Sequence, residues 1–518
     1  MAAEVVVAFR VDSGARLGSG HLVRCLRLAN ELARRSTRVH FICRELPGHL
    51  IEMAERAGFP VSRLPVPCQS SDKQWHEPSL EWLQVSWLQD ARETRAMLNG
   101  IRPDWLVVDH YGIGAHWQRE QRPVVKSILV IDDLADREHD CEVLLDQNYA
   151  GPGTGERYAG LVPSRCRRFV GPRYALLSED YAVLHRLEGI REGNPRRAVV
   201  FFGGSDATDE TTKTLRALCE PELSHLAVDV VLGPNHPAPE AVEQAVAART
   251  GTSLHRRLES LAGLLLRADV AVGAGGVATW ERLCLRLPSA VITVAPNQEP
   301  SIAALASEGH VVWIGRANAV SHAELVGGVR RALTQSTAGG LLVDGNGTAR
   351  VANALVPPSP ADLRLYPVRR SDSELLFAWR NDPETRAVSF DQAPISWDTH
   401  SRWLQLQLAD RRVDLLIGWC GGFPVGQVRL DCREPEAVLS YGVDPDLRGQ
   451  GFGTALVEQA MRRTPREEQR GCRACVKANN AASRRIFQRL RWQEQEDGDN
   501  FVFRWQAPQR TPEEVSQP

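Results

Sequence analysis

Two parallel-sheet α/β lobes, residues 1–160 and 161–355, followed by a smaller α+β domain at 363–506, are the fold the sequence predicts. Three observations predict it. Apolar runs alternate with helical stretches from Val5 to Val294, the pattern of βαβ units in a parallel sheet. Glycine turns follow strands in both lobes, at the sheet edge where such folds bind ligands. Past a proline-rich linker at 356–362, with the sequence VPPSPAD, the pattern becomes a run of strands.

Length and composition agree with this layout. At roughly 150 residues per domain, 518 residues make about three domains. The net charge of −2 points to neither nucleic acid nor an anionic membrane as partner. No apolar run approaches the ~20 residues of a membrane helix, and no signal peptide opens the chain. The 11 cysteines are scattered and odd in number, as in a cytoplasmic protein with reduced thiols. Cys472 and Cys475 form one CxxC in a strand-like run without a second pair, so no zinc site is expected. The oligomeric state is not legible, and the polar stretch 507–518 reads as a disordered tail.

In the first lobe the strand candidates are Val5–Phe9, Val39–Cys43, Trp105–Val108, Ile128–Ile131 and Val143–Leu145. After the first comes Gly18-Ser19-Gly20-His21, then apolar Leu22, Cys25, Leu26, Ala29, Leu32 and Ala33 at helical spacing. A strand, a glycine loop and a helix start present backbone N–H groups to an anion. An imidazole at that helix start suits a general base beside a diphosphate, though a surface histidine on a first turn fits the same pattern. Polar residues gather at the strand ends: Arg10 and Asp12 after the first, Asp109, His110 and Tyr111 after the third, Asp132 and Asp133 after the fourth.

Residues 151–165 are rich in Gly, Pro and polar residues, and a second α/β unit follows. Val199–Phe202 ends in Gly203-Gly204-Ser205-Asp206, and Val228–Leu232 ends in Gly233-Pro234-Asn235. Asp269–Val272 leads into Gly273-Ala274-Gly275-Gly276 and a helix carrying Glu281, and Ala290–Val294 leads into Pro296-Asn297-Gln298-Glu299. Glu281 fits either a hydrogen-bond acceptor for a ribose or an exposed helix acid.

With these motifs in hand, the two lobes resemble a GT-B fold of the MurG type. More closely, RVDSG, GSGHLVRC, VVDHY and IDDLADREHDCEVLLDQNY resemble the UDP-sugar hydrolases of pseudaminic acid biosynthesis over about residues 4–350. Those enzymes cleave UDP from UDP-2,4-diacetamido-2,4,6-trideoxy-β-L-altropyranose. The resemblance implies His21 as the base that activates water, with Asp12, Asp109 and Tyr111 as further catalytic candidates. It implies that Arg10, Gly18, Gly20, Gly203, Gly204, Ser205, Asn235, Gly275, Gly276, Glu281 and Asn297 hold substrate or UDP, with no metal.

In the last domain, Leu363–Val368, Val413–Trp419, Val425–Leu430 and Val438–Val443 read as strands, the last three as an antiparallel meander. A helix is expected at Ser373–Arg380. Arg448-Gly449-Gln450-Gly451-Phe452-Gly453 then opens a helix, which small residues and a cation suit to a pyrophosphate. Ala474–Val476 reads as a strand before Asn479-Asn480 and a helix through Leu490. The loop, lying between a strand and a helix, resembles the acetyl-CoA loop of the GNAT acetyltransferases over about residues 364–505. WRNDPETRAVSF and PISWDTHSRW resemble the amine-acetylating step of the same sugar pathway. The resemblance implies acetyl-CoA held by Val443, Arg448, Gly449, Gln450, Gly451, Phe452, Gly453, Asn480 and Phe487. It also carries a departure: Phe487 stands where many members have a proton-donating tyrosine, and Arg491 where glycine is usual. Tyr441 is the nearest alternative donor in sequence.

The implied whole is a bifunctional enzyme that N-acetylates a UDP-4-amino-4,6-dideoxy sugar and then removes UDP. Two alternatives share the motifs. A GT-B glycosyltransferase would pass the sugar to an acceptor hydroxyl, and a non-catalytic nucleotide-sugar binding protein would hold UDP without turnover.

Overall fold

The computed structural model describes residues 4–14, 17–66, 82–187, 191, 193–256, 258–335, 342–434, 436–463 and 471–505. The chain divides into two compact units, Met1–Val356 and Pro357–Pro518. The first unit is the pair of Rossmann-like parallel-sheet lobes expected from the sequence, and the second is the expected α+β domain with a mixed sheet.

The first lobe is built on seven parallel strands: β1 Val6–Val11, β2 Arg38–Arg44, β3 Val61–Leu64, β4 Trp105–Asp109, β5 Ser127–Ile131, β6 Val143–Asp146 and β7 Arg167–Val170. Their order is β3-β2-β1-β4-β5-β6-β7. Every residue of β1 is buried, as a strand covered on both faces requires. Val7, Phe9 and Val11 pack into the core beneath the helix Gly20–Arg34, while Ala8 points to the core on the opposite face. The first residues after the loop therefore meet the end of β4, because Val11 pairs with Asp109 in the β1–β4 register.

The second lobe repeats the scheme with six parallel strands: β8 Arg197–Phe201, β9 Ala227–Leu232, β10 Thr252–Arg256, β11 Val270–Ala274, β12 Ser289–Thr293 and β13 Val312–Arg316. Their order is β10-β9-β8-β11-β12-β13. Phe201 pairs with Gly273, so the turns Gly203-Gly204 and Gly275-Gly276 emerge side by side. Two observations move the lobe boundary expected at residue 160. β7 adds to the first sheet, and Val351, Ala352 and Leu355 of the helix Gly347–Leu355 pack into the first lobe's core. Covering the apolar face of the helix Gly20–Arg34 draws the end of the second segment back onto the first.

In the second unit the order is β14-β15-β16-β17-β18-β20-β19, from β14 Arg364–Pro367, β15 Val413–Cys420, β16 Phe423–Asp431, β17 Glu436–Val443, β18 Gly471–Lys477, β19 Gln493–Asp497 and β20 Asn500–Trp505. β15, β16 and β17 form an antiparallel meander. β17 and β18 run parallel and pair only from Glu436↔Gly471 to Val438↔Arg473. Beyond that point the two strands part, and β17 from Leu439 to Val443 has no ladder with β18. Residues 507–518, expected to be a disordered tail, lie outside the described residues.

Candidate functional site

In the first unit the helix Gly20–Arg34 begins at the glycine loop and presents His21 and Arg24 one turn apart. His21 Nδ1 lies 2.6 Å from Asp109 Oδ1. Arg24 grips the same carboxylate with Nε at 2.6 Å and Nη2 at 2.7 Å, and its Nη1 donates to Asp133 at 2.9 Å. Burial raises the Asp109 carboxyl, but the Arg24 charge and the hydrogen bonds from Arg24 and His21 outweigh it and hold the group well below the usual carboxylate range. An ionised Asp109 accepts the proton of Nδ1–H, which leaves the His21 Nε2 lone pair free to accept a proton. Tyr111 sets its ring edge-to-face on His21 at 4.5 Å and donates its hydroxyl to Asp133 at 3.1 Å. Trp82 lies edge-on to Tyr111 at 5.2 Å. Asn297, from the second lobe, donates to the Tyr111 hydroxyl at 3.1 Å.

The glycine loops of the two lobes face each other here. A Cβ on Gly204 would lie 2.8 Å from Ser19 Oγ, and one on Gly20 would lie 4.0 Å from Val277. Gly203 has φ +92°, which favours glycine, and Gly18 has φ +74°. Gly203, Gly204, Ser205, Gly275 and Gly276 are all half-buried, while Asn235 and Asn297 are exposed. His21, Asp109, Tyr111, Gly18, Gly20, Gly203, Gly204 and Asn297 are thus brought to one inter-lobe cleft.

Two expected site residues are not brought there. Arg10 and Asp12 have side chains with no exposure, and they pair with each other at 2.5 Å. Arg10 also pairs with Asp90 at 2.6 Å, and Asp12 accepts from the Arg44 backbone N–H at 2.7 Å. Their geometry braces β1 and β2 beneath the site, so the catalytic and substrate-binding roles expected of them are corrected to a structural one. Glu281 is buried and paired with Arg27 of the first lobe, so the exposed-acid reading is excluded and the carboxylate already has one partner. Arg24 was not singled out by the sequence, although its place one turn from His21, charged on a buried face, is a signal.

Asp206, Asp209 and His236 lie close enough together to hold a cation. Each also holds hydrogen bonds of its own. Asp206 accepts from the Glu210 and Thr211 backbone N–H groups and from the Thr211 hydroxyl. His236 Nδ1 accepts from the Ala238 N–H at 3.1 Å, which places the ring proton on Nε2, the atom a cation would need. Through their hydrogen bonds Asp206 and Asp209 cap the helix Glu210–Ala217.

In the second unit Gly449 and Gly451 take left-handed backbones, φ +77° and +90°, and open the helix Phe452–Arg463. Gly453 allows close packing, since a Cβ there would lie 2.7 Å from Ile486 and 3.2 Å from Tyr441. The unpaired edge of β17, ending at Val443, runs toward this loop. Phe452 is buried, and the Gln450 side chain donates to the Asp446 carbonyl at 3.3 Å. Arg448 does not lie free for a phosphate as expected. Asp382, Glu384 at 2.5 Å and Thr385 at 2.8 Å hold its guanidinium and tie the loop to the helix Pro383–Val388. Asn480 caps the helix Ala481–Arg489 through the Ser483 N–H. Phe487, expected as a packing residue over the CoA arm, is 1% exposed and stacks on Phe503 at 5.1 Å with Trp492 at 4.9 Å, so it is a packing residue, but of the core, and the contact with CoA is corrected. Tyr441 donates its hydroxyl to Ser483 Oγ at 2.9 Å, next to the gap between β17 and β18. Cys472 is buried and Cys475 exposed, three residues apart on one strand and so on opposite faces, which prevents a shared metal.

Comparison with known proteins follows the division into units. Residues 362–493 match the family model described as acetyltransferase (GNAT) domain. An uncharacterized protein of Methanocaldococcus jannaschii is 20% identical over 513 residues, 95% of this chain and 97% of its own length. The UDP-2,4-diacetamido-2,4,6-trideoxy-β-L-altropyranose hydrolase of Campylobacter jejuni is 24% identical over 313 residues, 59% of this chain and 98% of its own. The crystal structure of MurG from Acinetobacter baumannii aligns with 68% of this chain and 99% of its own, at 12% identity and a TM-score of 0.46. The chain joins a homologue of the altropyranose hydrolase to a C-terminal domain of the GNAT acetyltransferase family.

Proposed function

We propose that the second unit transfers the acetyl group of acetyl-CoA to the 4-amino group of UDP-4-amino-4,6-dideoxy-N-acetyl-β-L-altrosamine, and that the first unit then hydrolyses UDP from the product. The observation that carries the reading is the His21–Asp109 pair, which leaves Nε2 as a base among three glycine loops. In the hydrolysis, water attacks the anomeric carbon and gives its proton to His21 Nε2 as the C1–O bond breaks and UDP departs. Asp109 stabilises the imidazolium that forms, and Arg24 keeps Asp109 ionised. Backbone N–H groups of Gly203, Gly204, Gly275 and Gly276 supply fixed dipoles to the leaving diphosphate, and Glu281 accepts from the ribose. Tyr111 and Asn297 line the sugar side, with Ser205 and Asn235 at the rim.

For the acetyl transfer, the open edge of β17 to Val443 holds the pantetheine arm, and Gly449, Gly451 and the first turn of the helix Phe452–Arg463 take the pyrophosphate. The neutral amine attacks the thioester carbonyl and the C–S bond breaks. The thiolate takes a proton from the Tyr441 hydroxyl as that hydroxyl turns from Ser483 Oγ, and the proton shed by the nitrogen passes through water to restore Tyr441. The product of one reaction is the substrate of the next, which gives the fusion a chemical reason. Incubation of the diacetamido UDP-sugar alone tests the hydrolase against a glycosyltransferase. UDP release without an acceptor supports hydrolysis, whereas release only on adding a sugar acceptor refutes it.

A further inference from the structure

We propose that Arg282, buried beneath the glycine loops of the second lobe without a carboxylate partner, is the fixed positive charge that holds the diphosphate of a nucleotide on those loops. The inference rests on the nucleotide reading above. Arg282 is 2% exposed. Its Nη2 donates to the Ala274 carbonyl at 2.8 Å and to Thr279 Oγ1 at 3.0 Å, and its Nε has no hydrogen-bond partner. Among the described residues no carboxylate pairs with it. Its neighbour Glu281 is paired with Arg27.

Other buried arginines of this unit differ. Arg10 pairs with Asp12 and Asp90, Arg24 with Asp109 and Asp133, and Arg44 with Asp90 and Glu93. Arg249 lacks a carboxylate but donates to the carbonyls of Leu218, Thr250, Leu223, Ser224 and Leu226. Arg282 has one backbone carbonyl.

Its place gives the charge a use. A Cβ on Gly273 would lie 2.6 Å from Arg282 Nη1 and 2.2 Å from the Phe201 carbonyl, so glycine there makes room for the guanidinium. The charge therefore sits at the ends of β8 and β11, directly below the residues that lead into Gly203-Gly204 and Gly275-Gly276. Burial lowers its pKa to about 10, which leaves it protonated at neutral pH. A buried cation in no salt bridge, with only the adjacent Glu281 charge acting on it, is costly, and a dianion seated on the loops above offsets that cost. Because the side chain is covered by the loops, Arg282 acts through them as a positioning residue.

Calorimetry on the full chain with UDP, uridine and inorganic pyrophosphate tests this. At a separation of about 8 Å and an effective dielectric of about 20, one cation changes affinity by about thirtyfold for each unit of phosphate charge, which is the lower bound for a diphosphate. Arg282→Gln keeps a donor for the Ala274 carbonyl and removes the charge. It should weaken UDP and pyrophosphate by about thirtyfold or more and leave uridine unchanged, while Arg282→Lys should keep UDP within about threefold. Arg282→Met replaces the glutamine variant if that fails to fold. Equal loss for UDP and uridine, or no loss for UDP, would overturn the role. A wild-type chain that binds pyrophosphate but not uridine would overturn the nucleotide reading instead.

Discussion

Replacing His21 with alanine is the sharpest perturbation of the first unit. The residue is 5% exposed and its Nδ1 is 2.6 Å from Asp109, so the substitution removes a held imidazole from a nearly closed site. A positioned general base contributes about 10²- to 10⁴-fold. His21→Ala should lose UDP release from the diacetamido UDP-sugar by that factor. Asp109→Asn should lose nearly as much, because the amide can donate to Nδ1 and turn the Nε2 lone pair away from its task. The Asn variant also strips Arg24 of its bidentate partner, and breaking a buried pair costs about 3–5 kcal/mol of stability. The alanine variant spares that pair and is the cleaner test. The assay is coupled detection of UDP under single-turnover conditions, with UDP affinity measured by calorimetry as the control for folding. Unchanged UDP affinity with turnover reduced by 10²-fold or more fits the account. Turnover within a few-fold of wild type would refute His21 as the base.

Three further outcomes are expected. Glu281→Ala should weaken UDP by about tenfold or more and leave acetyl transfer unchanged, since removing one partner of a charged hydrogen bond costs about 1.5–3 kcal/mol; equal affinity by calorimetry would contradict it. Phe487→Tyr should change the acetylation rate less than tenfold, because that ring lies in the core against Phe503, whereas Gly451→Val should abolish CoA binding, because φ +90° excludes a β-branched residue; a large rate gain in the first variant would mean that the domain lacks a working acid. Burial raises the Asp146 carboxyl to about 7, with Arg157 opposing and Asp133 adding to the rise. From about pH 4 to 7 the folded chain then holds a proton that the unfolded chain has lost, so stability falls as pH rises, by up to about 1.4 kcal/mol per unit. Asp146→Asn should flatten that slope in urea melts between pH 5 and 7.5, and an unchanged slope would refute the shift.

The sequence made the central strands and their glycine loops legible because burial on both faces leaves an uninterrupted apolar run, as in β1 and β8. β3, β7, β10, β13, β19 and β20 were not read from it. Five of them are edge strands, and β19, QEQED, is exposed throughout and carries no apolar period. His21 could be placed because a strand, a loop and a helix are contiguous in sequence. Its partner Asp109 lies 88 residues away, visible only as a polar residue at a strand end. Arg10 and Asp12 occupy the same kind of strand end, and nothing local marks them as a buried pair in which Arg10 also binds Asp90. The Arg27–Glu281 pair spans 254 residues and two lobes, beyond any local pattern. Arg448 looked free because its partners come from a helix about 65 residues earlier.

Hydrolysis in H₂¹⁸O tests the central claim most directly. The full chain, supplied with acetyl-CoA and the UDP-4-amino sugar, should yield free diacetamido sugar carrying ¹⁸O at C1 and unlabelled UDP, with the acetylated UDP-sugar seen first by mass spectrometry. Label in the nucleotide phosphate, or UDP released before acetylation, would contradict it.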